Sequence, residues 1–84
     1  MKILETIELG KKVNYFGHEI EVPDWAEYLA VGANGDLFAY DIKPFKTKDF
    51  FVGKGDSLLA KIATVDLEGL NWEDSLVDIY ENYR

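Results

Sequence analysis

Carboxylates are the side chains of this sequence that are numerous and closely spaced enough to act as a group. Sixteen acidic residues stand against nine basic ones, which gives a net charge of −7. Six of the acids fall within residues 66–81: Asp66, Glu68, Glu73, Asp74, Asp78 and Glu81. Such a surface repels nucleic acid and anionic membranes and attracts cationic partners. We predict that these six carboxylates bind a protein with a basic surface; the alternative is that they only keep the chain soluble.

Patterns typical of enzymes are absent from the sequence. It has no nucleophile elbow, no Ser/His/Asp set in a plausible order and no dinucleotide fingerprint. It has no cysteine, and its one histidine, His18, follows Gly17 at a turn, so thiolate and histidine metal sites are not expected. The stretch from Gly53 to Ser57 lacks the spacing of a phosphate loop and reads as a glycine-rich turn. We expect a protein that is not an enzyme and holds no metal or cofactor.

The central stretch, residues 27–42, predicts a β-hairpin around Asn34 and Gly35. A two-residue turn at these residues would pair Val31 with Phe38. A type I turn over Ala33 and Asn34, with Gly35 as a left-handed bulge, would pair Val31 with Leu37 instead. Ala33 suits the first central position of a type I turn and favours the second register.

Alternation in that register sorts the hairpin side chains onto two apolar faces. The aromatic face consists of Tyr28, Ala30, Phe38 and Tyr40, and the aliphatic face consists of Leu29, Val31, Leu37 and Ala39. A sheet that is apolar on both sides is covered on both sides, or presents one face to a partner. Tyr28 and Tyr40 are therefore added to the candidate binding residues.

The rest of the chain predicts an α+β fold in one domain, residues 1–84. A small antiparallel sheet is built on hairpins and strands at 13–22, 27–42 and 58–65, while residues 3–9 fit a helix or a strand equally well. Asn71 is a good N-cap for a C-terminal amphipathic helix over 72–82. Its apolar stripe, which we expect to pack on the sheet, consists of Trp72, Leu76, Ile79 and Tyr83.

A different use of the aromatic face follows from the one basic segment. Residues 42–65 carry five lysines and two aspartates, a net of +3. Lys43, Lys46, Lys48 and Lys54 would border the aromatic face, where single-stranded nucleic acid could stack. The negative charge of the whole chain argues against that interpretation.

Two stretches and the tail resemble a group of short proteins encoded by tailed bacteriophages. The chain reads P-D-W-A-E-Y-L-A from Pro23 and N-G-D-L-F-A-Y from Asn34, with Pro44 following. The group's pattern is P-x-W-x-x-Y-(L/I)-A-x-D-x-x-G-x-(V/L)-(Y/F)-A-Y-x-x-x-P, and Gly32 stands where it usually has aspartate. Trp72, Ser75 and Leu76 are similar to its W-x-x-S-L ending. The resemblance implies a phage origin and the host cytoplasm, and it carries over no catalytic or binding residues.

These observations lead to one expected function and two alternatives. We expect a soluble, acidic, phage-encoded protein that binds a host protein and has no association with membranes. Inhibition of a nucleic-acid-handling or defence factor, through carboxylates spaced like the phosphates of DNA, is one mechanism open to it. The alternatives are an accessory binder of single-stranded nucleic acid and a virion assembly protein.

Overall fold

The computed structural model describes residues 1–6 and 10–81. Within these residues the chain is almost entirely β-structure, with one short 3₁₀ helix, Trp72–Asp74. The described residues contain nine strands: β1 (Lys2–Thr6), β2 (Lys11–Tyr15), β3 (His18–Val22), β4 (Tyr28–Val31), β5 (Asp36–Tyr40), β6 (Phe45–Lys46), β7 (Phe51–Val52), β8 (Leu59–Asp66) and β9 (Val77–Asp78).

Five strands form the main antiparallel sheet, in the order β1-β8-β5-β4-β9. The long strand β8 lies between β1 and β5 in the sheet. Its bounds differ by one residue at each end from the strand predicted at 58–65. The ambiguous N-terminal segment is a strand over its first part, while residues 7–9 lie outside the described residues. Strands β2 and β3 form a separate hairpin, and β6 and β7 form a short one that we call the β6–β7 arm, residues 45–52.

The central hairpin adopts the bulged register that Ala33 favours. Val31 pairs with Leu37, and Tyr28 pairs with Tyr40. The Gly35 amide donates to the Gly32 carbonyl over 3.0 Å, which closes the turn, and Gly35 has a φ of +89°. A side chain is strained at that φ. A Cβ on Gly35 would also lie 2.5 Å from the Val65 carbonyl oxygen of β8, so two independent constraints require glycine here.

The hairpin predicted at 13–22 is confirmed as β2 and β3. Tyr15 pairs with His18 across a two-residue turn, in which Phe16 and Gly17 have φ values of +49° and +83°. Positive φ at both positions is typical of the tight turns that match the twist of a hairpin.

Both faces of the central hairpin are packed against other elements, which is one of the two alternatives that its patterning left open. The aliphatic face packs beneath the β2–β3 hairpin, which contributes Tyr15, Ile20 and Val22 to one buried cluster. The aromatic face packs against a second, smaller cluster around Phe51, where Trp72 and Leu76 are partly buried. The sheet therefore lies between two layers of unequal size.

The predicted helix over 72–82 is wrong, and with it the α+β class. The residues from 72 to 81 form the 3₁₀ helix, a two-residue connection, β9 and a turn, while residues 82–84 lie outside the described part of the chain. Asn71 does cap the 3₁₀ helix, because its side chain accepts a hydrogen bond from the Glu73 amide at 3.1 Å. The predicted N-cap is therefore confirmed, whereas the predicted continuation of the helix beyond residue 74 is wrong.

Pairing with the outer strand of the hairpin explains why the helix stops. Ser75 is fully buried, and its hydroxyl lies 2.9 Å from the amide and 3.1 Å from the carbonyl oxygen of Val31. Beyond it, Val77 and Asp78 pair with Leu29 and Tyr28. Backbone groups of β4 that a packed helix would leave unpaired are satisfied in this way, and unpaired buried backbone groups are costly.

The apolar stripe of the predicted helix is divided between the two sides of the sheet. Trp72 and Leu76 pack into the cluster on the aromatic face, whereas Ile79 packs into the cluster on the aliphatic face. Tyr83 lies outside the described residues. The helical spacing of these residues therefore reflects burial on the two sides of the sheet and not one face of a helix.

Candidate functional site

The six predicted carboxylates follow the chain from the end of β8 through the 3₁₀ helix to the residues after β9, so no helix presents them on one face. Some of them stabilise local structure. The Asp66 side chain accepts from the Glu68 amide at 3.1 Å, and the Asp78 side chain accepts from the Tyr80 amide at 3.0 Å. Glu68, Asp74 and Glu81 are exposed.

Lysines of the basic segment lie against part of this acidic stretch. Lys46 Nζ is 2.6 Å from a carboxylate oxygen of Glu73. Lys43 lines a cleft of about 290 Å³ together with Tyr28, Leu76, Asp78 and Glu81. The structure thus brings Tyr28 together with two of the predicted carboxylates, and a cation adjoins them.

The two predicted tyrosines differ in accessibility. Tyr40 is only 3% exposed, and its hydroxyl donates to the Phe51 carbonyl over a long 3.4 Å. Burial raises the pKa of the Tyr40 hydroxyl above its ordinary value. Tyr28, which pairs with Tyr40 across the hairpin, is half-buried. The aromatic face is therefore mostly an interior surface.

A larger groove opens where the central hairpin meets the β6–β7 arm. Its volume is about 620 Å³, within the range of roughly 300–1,000 Å³ that ligand pockets occupy. Apolar side chains from three segments dominate its lining. The lining residues are Gly32, Ala33, Asn34, Asp36, Phe38, Tyr40, Asp49, Phe50, Phe51 and Leu59.

The walls of the groove are held together by backbone contacts. The Ala33 amide of the hairpin turn donates to the Asp49 carbonyl oxygen of the arm over 3.1 Å. The arm itself is closed by the Thr47 amide, which donates to the Phe50 carbonyl oxygen over 2.8 Å. A Cβ on Gly32 would lie 3.1 Å from the Asn34 Oδ1 and 3.4 Å from the Phe50 Cβ, so turn and arm approach each other closely here.

Two apolar side chains of the groove are open to solvent, and both of its charged residues are acidic. Phe50 is 53% exposed and Leu59 is 50% exposed. Asp36 pairs with Lys61 at 3.1 Å. For the Asp49 carboxylate, no hydrogen bond or ion pair occurs within residues 1–6 and 10–81.

Sequence reasoning missed this groove, although one signal pointed to part of it. Phe50 and Phe51 are consecutive, and consecutive residues of an extended segment point to opposite sides. Phe51 is buried in β7, and Phe50, in the bend just before that strand, is exposed. The approach of the arm to the turn at Gly32 had no counterpart in the sequence pattern.

Tyr15 and Ser75 form a buried polar pair whose role is structural. The Tyr15 hydroxyl donates to the Ser75 carbonyl oxygen over 2.7 Å, and both residues are 0% exposed. Burial raises the pKa of the Tyr15 hydroxyl well above its ordinary value, and the hydrogen bond to Ser75 lowers it only in part. The serine hydroxyl already contacts the Val31 and Trp72 backbone, so it is not a nucleophile facing a substrate.

Neither a metal centre nor a membrane span occurs in the described residues. His18 Nε2 lies 3.0 Å from the Met1 carbonyl oxygen and joins the β2–β3 hairpin to the N-terminus. Residues 1–6 and 10–81 contain no group of three or more metal-ligating side chains close enough to hold an ion. They also contain no helix long and apolar enough to cross a membrane.

Comparisons with known proteins add no relative to this description. Models of protein families, curated proteins and solved structures all give no significant match to the chain.

Proposed function

We propose that this chain is a small, non-enzymatic binding protein, encoded by a bacteriophage, that acts on a host protein in the host cytoplasm. Charge is the observation that supports the proposal. Acids exceed bases by seven across the sequence, and Glu68, Asp74 and Glu81 are exposed beyond β8. Surface charge of one sign steers partners of the opposite sign and speeds their association. The partner is accordingly a protein with a basic surface.

In its finer form, the proposal is inhibition of a nucleic-acid-handling or defence factor. A basic groove that binds phosphates gains much of its affinity from charge, and carboxylates at similar spacing compete for it. Lys46 offsets Glu73, and Lys43 adjoins Asp78 in the small cleft. Lys43 adjoins Glu81 in the same cleft, so the competing charge comes mainly from the exposed Asp66, Glu68 and Asp74.

Stacking of single-stranded nucleic acid on the aromatic face has less support. Tyr40 is buried, while Tyr28 and Phe38 are half-buried beneath the second cluster. A stacking platform needs ring faces that are open to the bases. The negative net charge adds repulsion.

Capture from bacterial lysate, followed by kinetic measurement on the captured protein, tests the proposal. The test variant combines Glu68→Gln, Asp74→Asn and Glu81→Gln, which retains the carboxylates of Asp66 and Asp78 that accept backbone hydrogen bonds. A control variant, with Glu19→Gln, Asp24→Asn and Asp56→Asn, removes the same number of charges from exposed positions elsewhere.

We expect the test variant to associate with the partner more slowly than the control, and the wild type to lose affinity as salt rises. Screening lengths fall from about 10 Å at 0.1 M to about 3 Å at 1 M salt, so an electrostatic encounter responds over that range. Equal association rates for the two variants would contradict the proposal. Capture that is insensitive to salt would do so as well.

A further inference from the structure

We propose that the groove between the central hairpin and the β6–β7 arm is a docking site for a protein segment. The segment presents one large apolar side chain beside an arginine or a lysine. This inference rests on the proposed function in one respect, namely that the partner is a protein. It assigns the partner a second contact, remote in sequence from the acidic stretch 66–81.

The apolar half of the proposal follows from the lining of the groove. Phe50 and Leu59 are half exposed at the groove and Phe38 is partly exposed, while Tyr40 and Phe51 line it with rings that are themselves mostly buried. A volume of about 620 Å³ leaves ample space for an aromatic or a large aliphatic side chain. Exposed apolar surface gathered around a concave site is typical of protein interaction sites.

The groove is already formed in the unbound chain. The hydrogen bond from the Ala33 amide to the Asp49 carbonyl fixes the turn against the arm. The same turn is also fixed against β8, because the Val65 amide donates to the Gly35 carbonyl over 2.9 Å. Little ordering is required when a segment binds, and preorganisation of this kind favours affinity.

The cationic half of the proposal follows from the charges at the groove. Asp36 and Asp49 are the titratable acids that line it. Lys61 and the Asn34 side chain engage Asp36, at 3.1 Å and 3.0 Å. Asp49 keeps an unengaged carboxylate among the described residues; of the arm's lysines, Lys46 pairs with Glu73 and Lys48 is exposed. A positive side chain next to the apolar anchor would pair with Asp49, and an acidic one would be repelled.

Peptide titration followed by NMR tests both halves of the proposal. The probes are capped four-residue peptides of glycine, phenylalanine, arginine and glycine, with matched peptides in which citrulline or glutamate replaces the arginine, or alanine the phenylalanine. Citrulline keeps the shape of arginine and removes its charge. We expect the arginine peptide to shift the backbone amides of Gly32, Ala33 and Phe50, and to bind more tightly than each matched peptide.

Two variants locate the contacts, each with a control. Asp49→Asn should abolish the preference for arginine over citrulline, whereas Asp56→Asn, at an exposed turn, should retain it. Phe50→Ser should lower the affinity for the arginine peptide by about tenfold, as expected for loss of an anchor contact. Leu4→Ser, an equally exposed apolar position on β1, should leave its affinity unchanged.

Several results would overturn the proposal. The first is that millimolar peptide shifts no backbone amide signal of the groove. The second is that the arginine and citrulline peptides bind with equal affinity. The third is that the shifted amide signals are confined to the small cleft at Tyr28. Sedimentation equilibrium tests a second copy of the chain as the occupant: a dimer that Phe50→Ser dissociates would assign the groove to self-association. None of these measurements uses the carboxylates at 68, 74 and 81, so failure here and failure of the acidic-surface proposal are distinguishable.

Discussion

The two faces of the main sheet are covered by layers of different construction. On the aliphatic face, a complete hairpin, β2–β3, lies over side chains such as Leu29 and Leu37 that are fully buried. On the aromatic face, the cover consists of the two-residue strands of the β6–β7 arm and the 3₁₀ helix, and a groove remains between the arm and the central hairpin. A continuous layer excludes water from every residue beneath it, whereas an assembled layer leaves gaps. The first face thus stabilises the fold, and the second retains accessible apolar surface.

Truncation of the aliphatic face should produce the largest loss of stability. Leu37→Ala removes a fully buried side chain from the larger cluster, and we expect the free energy of unfolding to fall by about 2–5 kcal/mol. Urea denaturation measures the change. A loss below about 1 kcal/mol would mean that this face is packed no more tightly than the other.

The close approach of the hairpin turn to β8 should produce the next largest effect. Gly35→Ala places a Cβ at positive φ and 2.5 Å from the Val65 carbonyl oxygen, so we expect a loss of roughly 1–3 kcal/mol in urea denaturation. Gly17→Ala is the matched control, because its φ is +83° and nothing lies within 4 Å of the added Cβ. If both variants lose the same stability, the contact with β8 contributes nothing beyond the φ strain.

Alkaline pH should weaken the aliphatic side through Tyr15. Its pKa is raised by burial, so the folded chain holds the phenolic proton above pH ~10, where an unfolded tyrosine loses it. Stability is fully present below that pH and then falls by about 1.4 kcal/mol per pH unit until the pKa of the folded state is reached. Urea titrations of wild type and Tyr15→Phe between neutral and alkaline pH measure the difference. Parallel pH profiles would contradict the prediction.

Truncation at the groove should have the smallest effect on stability. Phe50 is 53% exposed, so Phe50→Ser should change the free energy of unfolding by less than about 1 kcal/mol. The same variant is expected to weaken peptide binding. If it destabilises the chain as much as Leu37→Ala, Phe50 supports the fold and the contrast between the faces disappears.

Elements defined by local geometry could be predicted from the sequence. Gly35 and Ala33 indicated the bulged turn, and that turn fixed the register of the hairpin and the membership of its two faces. Gly17 likewise marked the turn between β2 and β3. In each case a backbone requirement and an alternating pattern lay within a few neighbouring residues.

Features that depend on distant contacts could not be predicted in the same way. The spacing of Trp72, Leu76 and Ile79 matched a helix, yet Ser75 and Val77 pair with β4, more than forty residues away in the chain. The groove likewise depends on Ala33 and Asp49, which only the folded arm brings into contact. Among the predicted binding residues, Tyr40 was placed correctly on its face and is nevertheless buried by Phe51.

The Ser75 hydroxyl, which takes the place of strand pairing at Val31, affects how readily the chain associates with other copies at high concentration. A sheet edge with unpaired backbone groups can add a strand from another molecule, which leads to domain swapping and aggregation. Strand β9 covers Tyr28 and Leu29, and the Ser75 hydroxyl accepts from the Val31 amide and shares its one proton between the Val31 and Trp72 carbonyl oxygens. One small side chain therefore blocks intermolecular strand addition at this edge of the central hairpin, where two-residue pairing alone would leave it open.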